Sequence, residues 1–266
     1  MRVAAAAVAA LAGTLAAGGE APARAIAEAV EKEIAAGRFP GAVVMVGTKE
    51  KVRYHAAFGL AQVTPGRAPM RGDSIFDVAS VTKVVCTATA VGICADRGLI
   101  DPDGMLPDYL PDYQAPGAEK ISLRHLASHT SGFPDSPRVG GAKGEFRGEE
   151  VFRQLLFFAP RWPVDTKFAY ACRNAILLGV MVERVTGRRF EELCRREIFG
   201  PLEMRESAFN RVPPGPRVVG THNPVLGESH AQDTASAGRA IGSAGLYSTA
   251  RELANFCQMM LGWGQW

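Results

Sequence analysis

The feature that most constrains this chain is an apolar segment that begins directly after Ser80-Val81-Thr82-Lys83 and reaches Leu99. Nearly every side of this segment is apolar, and Arg97-Gly98 is a typical helix stop. The sequence therefore predicts a buried helix whose first turn carries a serine and a lysine.

Two interpretations of this first turn are open from the residues alone. Serine is favoured at helix starts, so Ser80 can be an N-cap and Lys83 a side chain that reaches to solvent. Alternatively, residues three apart share a helix face, and a lysine inside an apolar helix has its charged form disfavoured by desolvation. Lys83 would then accept the proton of the Ser80 hydroxyl, and Ser80 would be an activated nucleophile.

Composition excludes several other functions. The 266 residues suffice for one large domain or two small ones, and 30 basic against 27 acidic residues give a net charge of only +3. Basic residues are interspersed, which gives nucleic-acid binding little support. The five cysteines form no CxxC pair, so neither a disulfide framework nor a zinc site is indicated, and no cofactor is expected.

The first 23 residues have the pattern of a secretory signal peptide. A basic Met1-Arg2 precedes an apolar stretch to Ala17, and small residues follow through Ala23. The alternatives are an alanine-rich helix and a mistranslated upstream extension. The signal-peptide interpretation predicts a secreted or periplasmic protein, with membrane association as an alternative. Residues 24–266 are expected to form one domain that is C-terminally incomplete.

The remaining chain reads as a helix, a hairpin and a long, mostly helical body. Residues 25–36 repeat apolar positions at helical spacing, and the apolar run 42–46 and residues 52–58 predict two strands joined by a turn. No later segment offers clear further strands. Helices are expected at 123–128 with Ser122 as N-cap, at 149–158, 173–185 and 190–198, and behind a capping box of Thr249 and Glu252.

His125 and His129 are four residues apart and could share a helix face. The residues between them lack the glutamate of a zinc-protease motif, so both are interpreted as structural and no metal is expected.

Five motifs in order resemble those of the serine beta-lactamase and penicillin-binding superfamily. The resemblance is to its class C-like branch, with D-alanyl-D-alanine carboxypeptidases and esterases, over about residues 25–266. The motifs are Phe39-Pro40-Gly41-Ala42, Phe76 to Lys83, Leu123 to Leu126 with His129-Thr130-Ser131-Gly132, the segment Phe168 to Gly179 around Tyr170, and Ala244 to Ala250.

The resemblance implies an α+β fold, in which an antiparallel sheet flanked by helices packs against an all-helical part. It implies that Ser80 is acylated, that Lys83 is the base, and that Tyr170 relays protons to the leaving group. The Ser80 backbone N–H would be half of an oxyanion hole.

Two departures from the family pattern stand out. Cys172 occupies the asparagine place of Tyr-x-Asn, a position expected to contact substrate, and a thiol is a weaker hydrogen-bonding group than an amide. We interpret Cys172 as a small buried residue in preference to a reactive thiol. The family's third motif, Lys-Thr-Gly or His-x-Gly, is not found by Trp266, so the chain is expected to lack C-terminal strands and the second oxyanion donor.

The sequence thus predicts a serine hydrolase of amides or esters: a carboxypeptidase, an esterase or a beta-lactamase-like enzyme. The alternative is a non-catalytic member of the same fold that binds a partner. Substrate choice is expected to depend on the loop Ser136–Gly148, where Arg138, Lys143 and Arg147 could attract a carboxylate.

Overall fold

The computed structural model describes residues 20–134, 146–220, 226–229 and 231–266. Its helices are α1 (Glu20–Ala35), α2 (Ala79–Asp96), α3 (Leu106–Tyr109), α4 (Leu123–Ala127), α5 (Glu149–Leu155), α6 (Cys172–Thr186), α7 (Phe190–Cys194), α8 (Gln232–Ala237) and α9 (Ala250–Leu261). A 3₁₀ turn covers Ala118–Lys120, and a π-helical segment (Arg195–Phe199) directly continues α7. The strands are β1 (Gly41–Gly47), β2 (Val52–Gln62), β3 (Ala68–Pro69), β4 (Ile75–Asp77), β5 (Ala208–Phe209) and β6 (Leu246–Thr249).

The predicted hairpin is confirmed and belongs to an antiparallel sheet of order β1-β2-β3. Val43 pairs with Ala57 and Met45 with His55. Helix α1 packs against β2 and α9 against β1, and the Gln258 amide of α9 donates to the Thr48 carbonyl at 3.0 Å. The apolar run in β1 is therefore half-buried along its length by helices and its partner strand.

A second antiparallel sheet, of order β4-β6-β5, leads directly into the core helix. Asp77 of β4 pairs with Tyr247 of β6, and the Val78 N–H donates to the Leu246 carbonyl at 2.9 Å. The sequence offers no clear strand after the hairpin, and the structure adds the short strands β3, β4, β5 and β6. Strands of two to four residues are too short to show the alternation by which a strand is predicted.

The helical part forms the main hydrophobic core around α2 and α6. Nine residues of α6 are buried, and α2, α4 and α7 pack against it. Helix α2 begins with a 3₁₀ turn (Ala79–Val81), continues as a π-helical segment (Lys83–Ala88) and ends as an α-helix (Thr89–Asp96). By length and hydropathy alone α2 could span a membrane, a test that core helices of soluble proteins also pass.

These elements give the α+β architecture that the sequence predicts. Ser122 caps α4 as expected, accepting from the His125 N–H, and α5 ends at Leu155, three residues before the predicted end. Thr249 caps α9, but the Glu252 carboxylate accepts from the Glu206 N–H and the Ser207 hydroxyl instead of completing a capping box.

Two predicted segments lie largely outside the described residues. The signal peptide over 1–23 overlaps them only from residue 20, and the loop Ser136–Gly148 only in its last three residues. Both remain predictions.

Candidate active site

Ser80 lies on the exposed first turn of α2, immediately after β4. The interpretation of Ser80 as an N-cap was wrong: Val78 occupies that position, and its side chain makes no capping bond. The chain turns at Ala79, which has φ +47°, and the Asp77 carboxylate accepts from the Ala79 N–H at 2.9 Å. Asp77 thus takes the capping role and leaves the Ser80 hydroxyl available for other contacts.

The side-chain nitrogen of Lys83 has three polar partners from different parts of the chain. Its Nζ lies 2.9 Å from Ser80 Oγ, 2.7 Å from the Ser243 carbonyl oxygen and 3.5 Å from Cys172 Sγ. The side chain therefore points into the site instead of reaching along the surface to water. Three polar partners surround this nitrogen, so its position is fixed.

The segment that supplies the Ser243 carbonyl is clamped to α2. The Thr87 hydroxyl donates to the Gly242 carbonyl at 2.6 Å, and Gly242 has φ +82°. A Cβ at Gly242 would lie 2.9 Å from both the Ala175 carbonyl oxygen and Thr87 Oγ1, so only glycine fits between α2 and α6. The π-helical stretch of α2 runs through this contact, a helix form that is frequent at functional sites.

Tyr170 and Cys172 reach the site from the start of α6. Cys172 is the first residue of α6, and its thiol is half-buried beside Lys83. The expectation that Cys172 is a buried apolar residue was wrong, because the α6 start faces the lysine. Tyr170 is 38% exposed, and its ring centroid lies 5.0 Å from Lys83 Nζ. The structure thus brings together all four predicted site residues: Ser80, Lys83, Tyr170 and Cys172.

A buried polar network lies behind Tyr170. The Ser131 hydroxyl donates to Asn174 Oδ1 at 2.7 Å, and Asn174 Nδ2 lies 2.9 Å from His129 Nδ1. The His129 ring contacts the Tyr170 ring, with centroids 4.7 Å apart, and also the 67% exposed Phe168, at 6.0 Å. His129 and Ser131 belong to a motif visible in the sequence, but no sequence signal indicates the role of Asn174.

The two histidines do not share a helix face, because α4 ends at Ala127 and His129 has φ +59°. His125 Nδ1 accepts from the Ser122 N–H at 3.1 Å within the helix cap. Among the described residues no group of three or more His, Cys, Asp or Glu side chains is arranged to hold a metal ion.

Tyr247 lies in β6, which pairs with the strand that leads to Ser80. Burial raises the pKa of Tyr247, which pairs with Asp77 in the second sheet, and the Asp77 and Glu228 carboxylates raise it further.

This architecture is the fold of the class C beta-lactamases. A solved class C beta-lactamase superposes with a TM-score of 0.71 at 20% sequence identity, over 88% of this chain and 63% of that structure. A second class C structure matches with the same TM-score at 19% identity.

The chain belongs to the Beta-lactamase family, whose sequence profile matches residues 24–265. It is 27% identical to an N-acetylmuramyl-L-alanine amidase of Bacillus subtilis, over 91% of this chain and 64% of the amidase. It is 31% identical to esterase EstB of Burkholderia gladioli, over 70% of this chain and 51% of the esterase. The chain thus spans less than two thirds of the length of these relatives.

Proposed function

We propose that this protein is a serine hydrolase that forms an acyl-enzyme on Ser80. Lys83 accepts the hydroxyl proton as Ser80 Oγ attacks the substrate carbonyl carbon. The tetrahedral intermediate then collapses, the leaving group departs with a proton, and water hydrolyses the ester on Ser80. This division of one difficult step into two easier ones is the usual advantage of a covalent intermediate.

The observation that carries this proposal is the 2.9 Å contact between Lys83 Nζ and Ser80 Oγ. A base must lie within hydrogen-bonding distance of the proton that it abstracts. Proton abstraction requires the lone pair of the amine to face the Ser80 hydroxyl, while two N–H groups donate to the Ser243 carbonyl and Cys172 Sγ. The partners of Lys83 therefore orient the amine for proton transfer.

Tyr170 is the group proposed to carry the proton to the leaving group. The centroid of its ring lies 5.0 Å from Lys83 Nζ, and the residue is 38% exposed. The Ser80 N–H lies in the first turn of α2, where backbone N–H groups lack partners within the helix. We assign this N–H to one half of an oxyanion hole.

The proposed substrates are small or peptide-like amides and esters. Support comes from the family and from the relatives, one named as an amidase and another as an esterase. No nucleic acid or metal partner enters the proposal.

The competing function is a binding protein that keeps the fold without turnover. Cys172 favours it, because a thiol offers substrate a weaker hydrogen-bonding group than an amide does. The complete set of Ser80, Lys83 and Tyr170 favours the enzyme.

Labelling with a fluorescent fluorophosphonate and a fluorescent penicillin tests the proposal. Intact-mass measurement is expected to show one adduct per chain, absent in Ser80→Ala. Ser128→Ala is the matched control, because Ser128 is an exposed serine held by the Arg124 carbonyl in a helix end. An adduct that persists in Ser80→Ala, or a wild-type chain that neither label modifies, would overturn the proposal in favour of the binding protein.

A further inference from the structure

We propose that His129 is a positioning residue that holds Tyr170 in place for proton transfer to the leaving group. This inference rests on the proposed function. Its basis is that His129 contacts the residues on both sides of Tyr170 and the Tyr170 ring itself.

His129 accepts hydrogen bonds from the backbone N–H groups of the residues on both sides of Tyr170. The Ala169 N–H donates to the His129 carbonyl at 2.9 Å, and the Ala171 N–H donates to His129 Nδ1 at 3.3 Å. These two bonds fix the backbone of residues 169–171 relative to one histidine. The Tyr170 ring then lies against the imidazole, with centroids 4.7 Å apart and planes inclined by 38°.

The hydrogen bonds also fix the tautomer of His129. A backbone N–H can only donate, so Nδ1 acts as an acceptor toward Ala171 and the ring proton resides on Nε2. The side chain of Asn174 agrees with this assignment. Its Oδ1 is occupied by the Ser131 hydroxyl at 2.7 Å, which leaves Nδ2 to donate to His129 Nδ1 at 2.9 Å.

Burial makes this network rigid. Asn174 is 0% exposed and Ser131 1% exposed, so breaking either bond would leave a buried polar group without a partner. His129 itself has φ +59°, a backbone conformation that costs free energy in a residue other than glycine and persists only where its surroundings enforce it. The network thus determines where the imidazole lies, and the imidazole determines where the phenol lies.

The consequence for the reaction concerns the leaving group. An alkoxide oxygen or an amide nitrogen must be protonated as it departs, whereas p-nitrophenolate departs readily as an anion. A displaced Tyr170 therefore slows turnover of alkyl esters more than turnover of p-nitrophenyl esters.

The test compares kcat/KM for an ethyl ester and a p-nitrophenyl ester of the same acid. His129→Phe keeps a ring but removes the Nδ1 acceptor. We expect the ratio of ethyl-ester to p-nitrophenyl-ester kcat/KM to fall about tenfold. This is part of the roughly 10²–10⁴-fold rate acceleration that a positioned acid supplies. Tyr170→Phe is expected to lower the same ratio. In the double variant, His129→Phe adds no further change, because the two residues act as one unit.

The matched control is His125→Phe, which removes a histidine that also accepts a backbone N–H through Nδ1 but lies in the α4 cap. This variant is expected to leave the ratio unchanged. Equal slowing of both esters by His129→Phe, or an effect that persists in the Tyr170→Phe background, would show a purely structural role and overturn the inference. If Tyr170→Phe itself leaves the ratio unchanged in a chain that is labelled on Ser80, the acid role of Tyr170 fails while the serine nucleophile stands.

A measurement on the unaltered protein guards against a variant that does not fold. Two-dimensional ¹⁵N NMR of histidine-labelled protein distinguishes the two neutral tautomers. We expect His129 to be protonated on Nε2; a proton on Nδ1 would contradict the hydrogen-bond pattern and the inference.

Discussion

At the scale of single residues, the chemistry of the site depends on what surrounds one amine. Lys83 and Ser80 are three residues apart, but the Ser243 carbonyl comes from 160 residues further along the chain. Spacing in the sequence explains the first contact and could not have found the second. The same limit applies to Asn174 and His129, which are 45 residues apart.

Replacing the amine by a group with a permanent charge tests its role as a base. Lys83→Arg retains a long cation but cannot give up a proton, so acylation is expected to slow roughly a hundredfold or more. Stopped-flow measurement of the acylation burst provides the rate. Lys167→Arg is the control, because Lys167 lies 4.1 Å from the Trp162 ring centroid as a simple cation–π pair. Near-normal acylation by Lys83→Arg would remove Lys83 from the mechanism.

Cys172 is expected to support Lys83 weakly. Cys172→Ala removes one acceptor at 3.5 Å, and a hydrogen bond of this kind contributes about 0.5–1.5 kcal/mol, so kcat/KM should fall about two- to tenfold. Cys172→Ser should restore most of the loss. Cys172 would be the nucleophile instead if two results were found together. Cys172→Ala would lose all activity, and the wild-type chain would carry the label on the Cys172 thiol and not on Ser80.

At the scale of elements, the long helices and the hairpin were predictable, and the short strands were not. Helices α2, α6 and α9 each carry a helical apolar pattern with an end signal, which is local information. Strands β4, β5 and β6 exist because they pair with each other, and pairing of residues 75–77 with 247–249 joins distant segments. Their positions matter to the site because β4 delivers the chain to Ser80.

Gly242 is the element-scale position where a small change should have a large effect. In Gly242→Ala the new Cβ would lie 2.9 Å from Thr87 Oγ1 and the Ala175 carbonyl oxygen, and overpacking typically costs 1–3 kcal/mol in unfolding free energy. The displaced Ser243 carbonyl should also slow acylation. Gly238→Ala is the matched control, because Gly238 has φ +66° and an added Cβ would meet no atom within 4 Å. This variant should lose only the roughly 1 kcal/mol of unfolding free energy that a positive φ costs a residue with a Cβ.

Urea unfolding and burst kinetics on both variants measure these effects. Equal destabilisation of Gly242→Ala and Gly238→Ala, with unchanged acylation in both, would show that the clamp between α2 and the Ser243 segment is unimportant.

At the scale of the whole molecule, ion pairs join segments that the sheet alone does not hold. Arg217 binds the Glu206 carboxylate at 2.5 and 2.8 Å and the Asp73 carbonyl oxygen at 2.9 Å, beside the bridge between Ile75 and Val218. The hydrogen bond from Arg217 holds the pKa of Glu206 below its ordinary value of 4.5. The hydrogen bond from Arg71 lowers the pKa of Asp73 below its ordinary value of 3.8, and the charge of Arg217 lowers this pKa further.

These pKa shifts predict acid sensitivity with a definite sign. A carboxyl whose pKa is lowered in the folded state stabilises it fully above the ordinary pKa, and this contribution is lost as the pH falls through the folded-state value. Arg217→Gln should therefore be less stable than wild type at pH 7, by under about 1 kcal/mol because the groups are partly exposed. The difference should shrink as the pH falls below about 4.

Urea titrations from pH 7 to pH 3 provide the measurement. Arg205→Gln is the control, because its contact with Glu203 is 3.8 Å long and well exposed. A destabilisation by Arg217→Gln that stays constant down to pH 3 would contradict the assigned ion pairs.

The sequence by itself determined the local structure and the order of the motifs. Ser80 and Lys83 share the first turns of one helix, Ser122 and Thr249 cap helices, and glycines end them, because these properties depend on near neighbours in the chain. The family resemblance and the α+β architecture follow from the same motifs and are confirmed.

Only the tertiary structure decided which groups meet at the site. It replaced Ser80 by Asp77 as the group that accepts the first free N–H of α2, turned Cys172 toward Lys83, and placed His129 against Tyr170. The site depends on unusual backbone conformations, such as the positive φ of Ala79, His129 and Gly242. The periodicity of the sequence does not predict these conformations. The physical reason is that long-range packing selects these conformations, and the information for packing is spread over the whole chain.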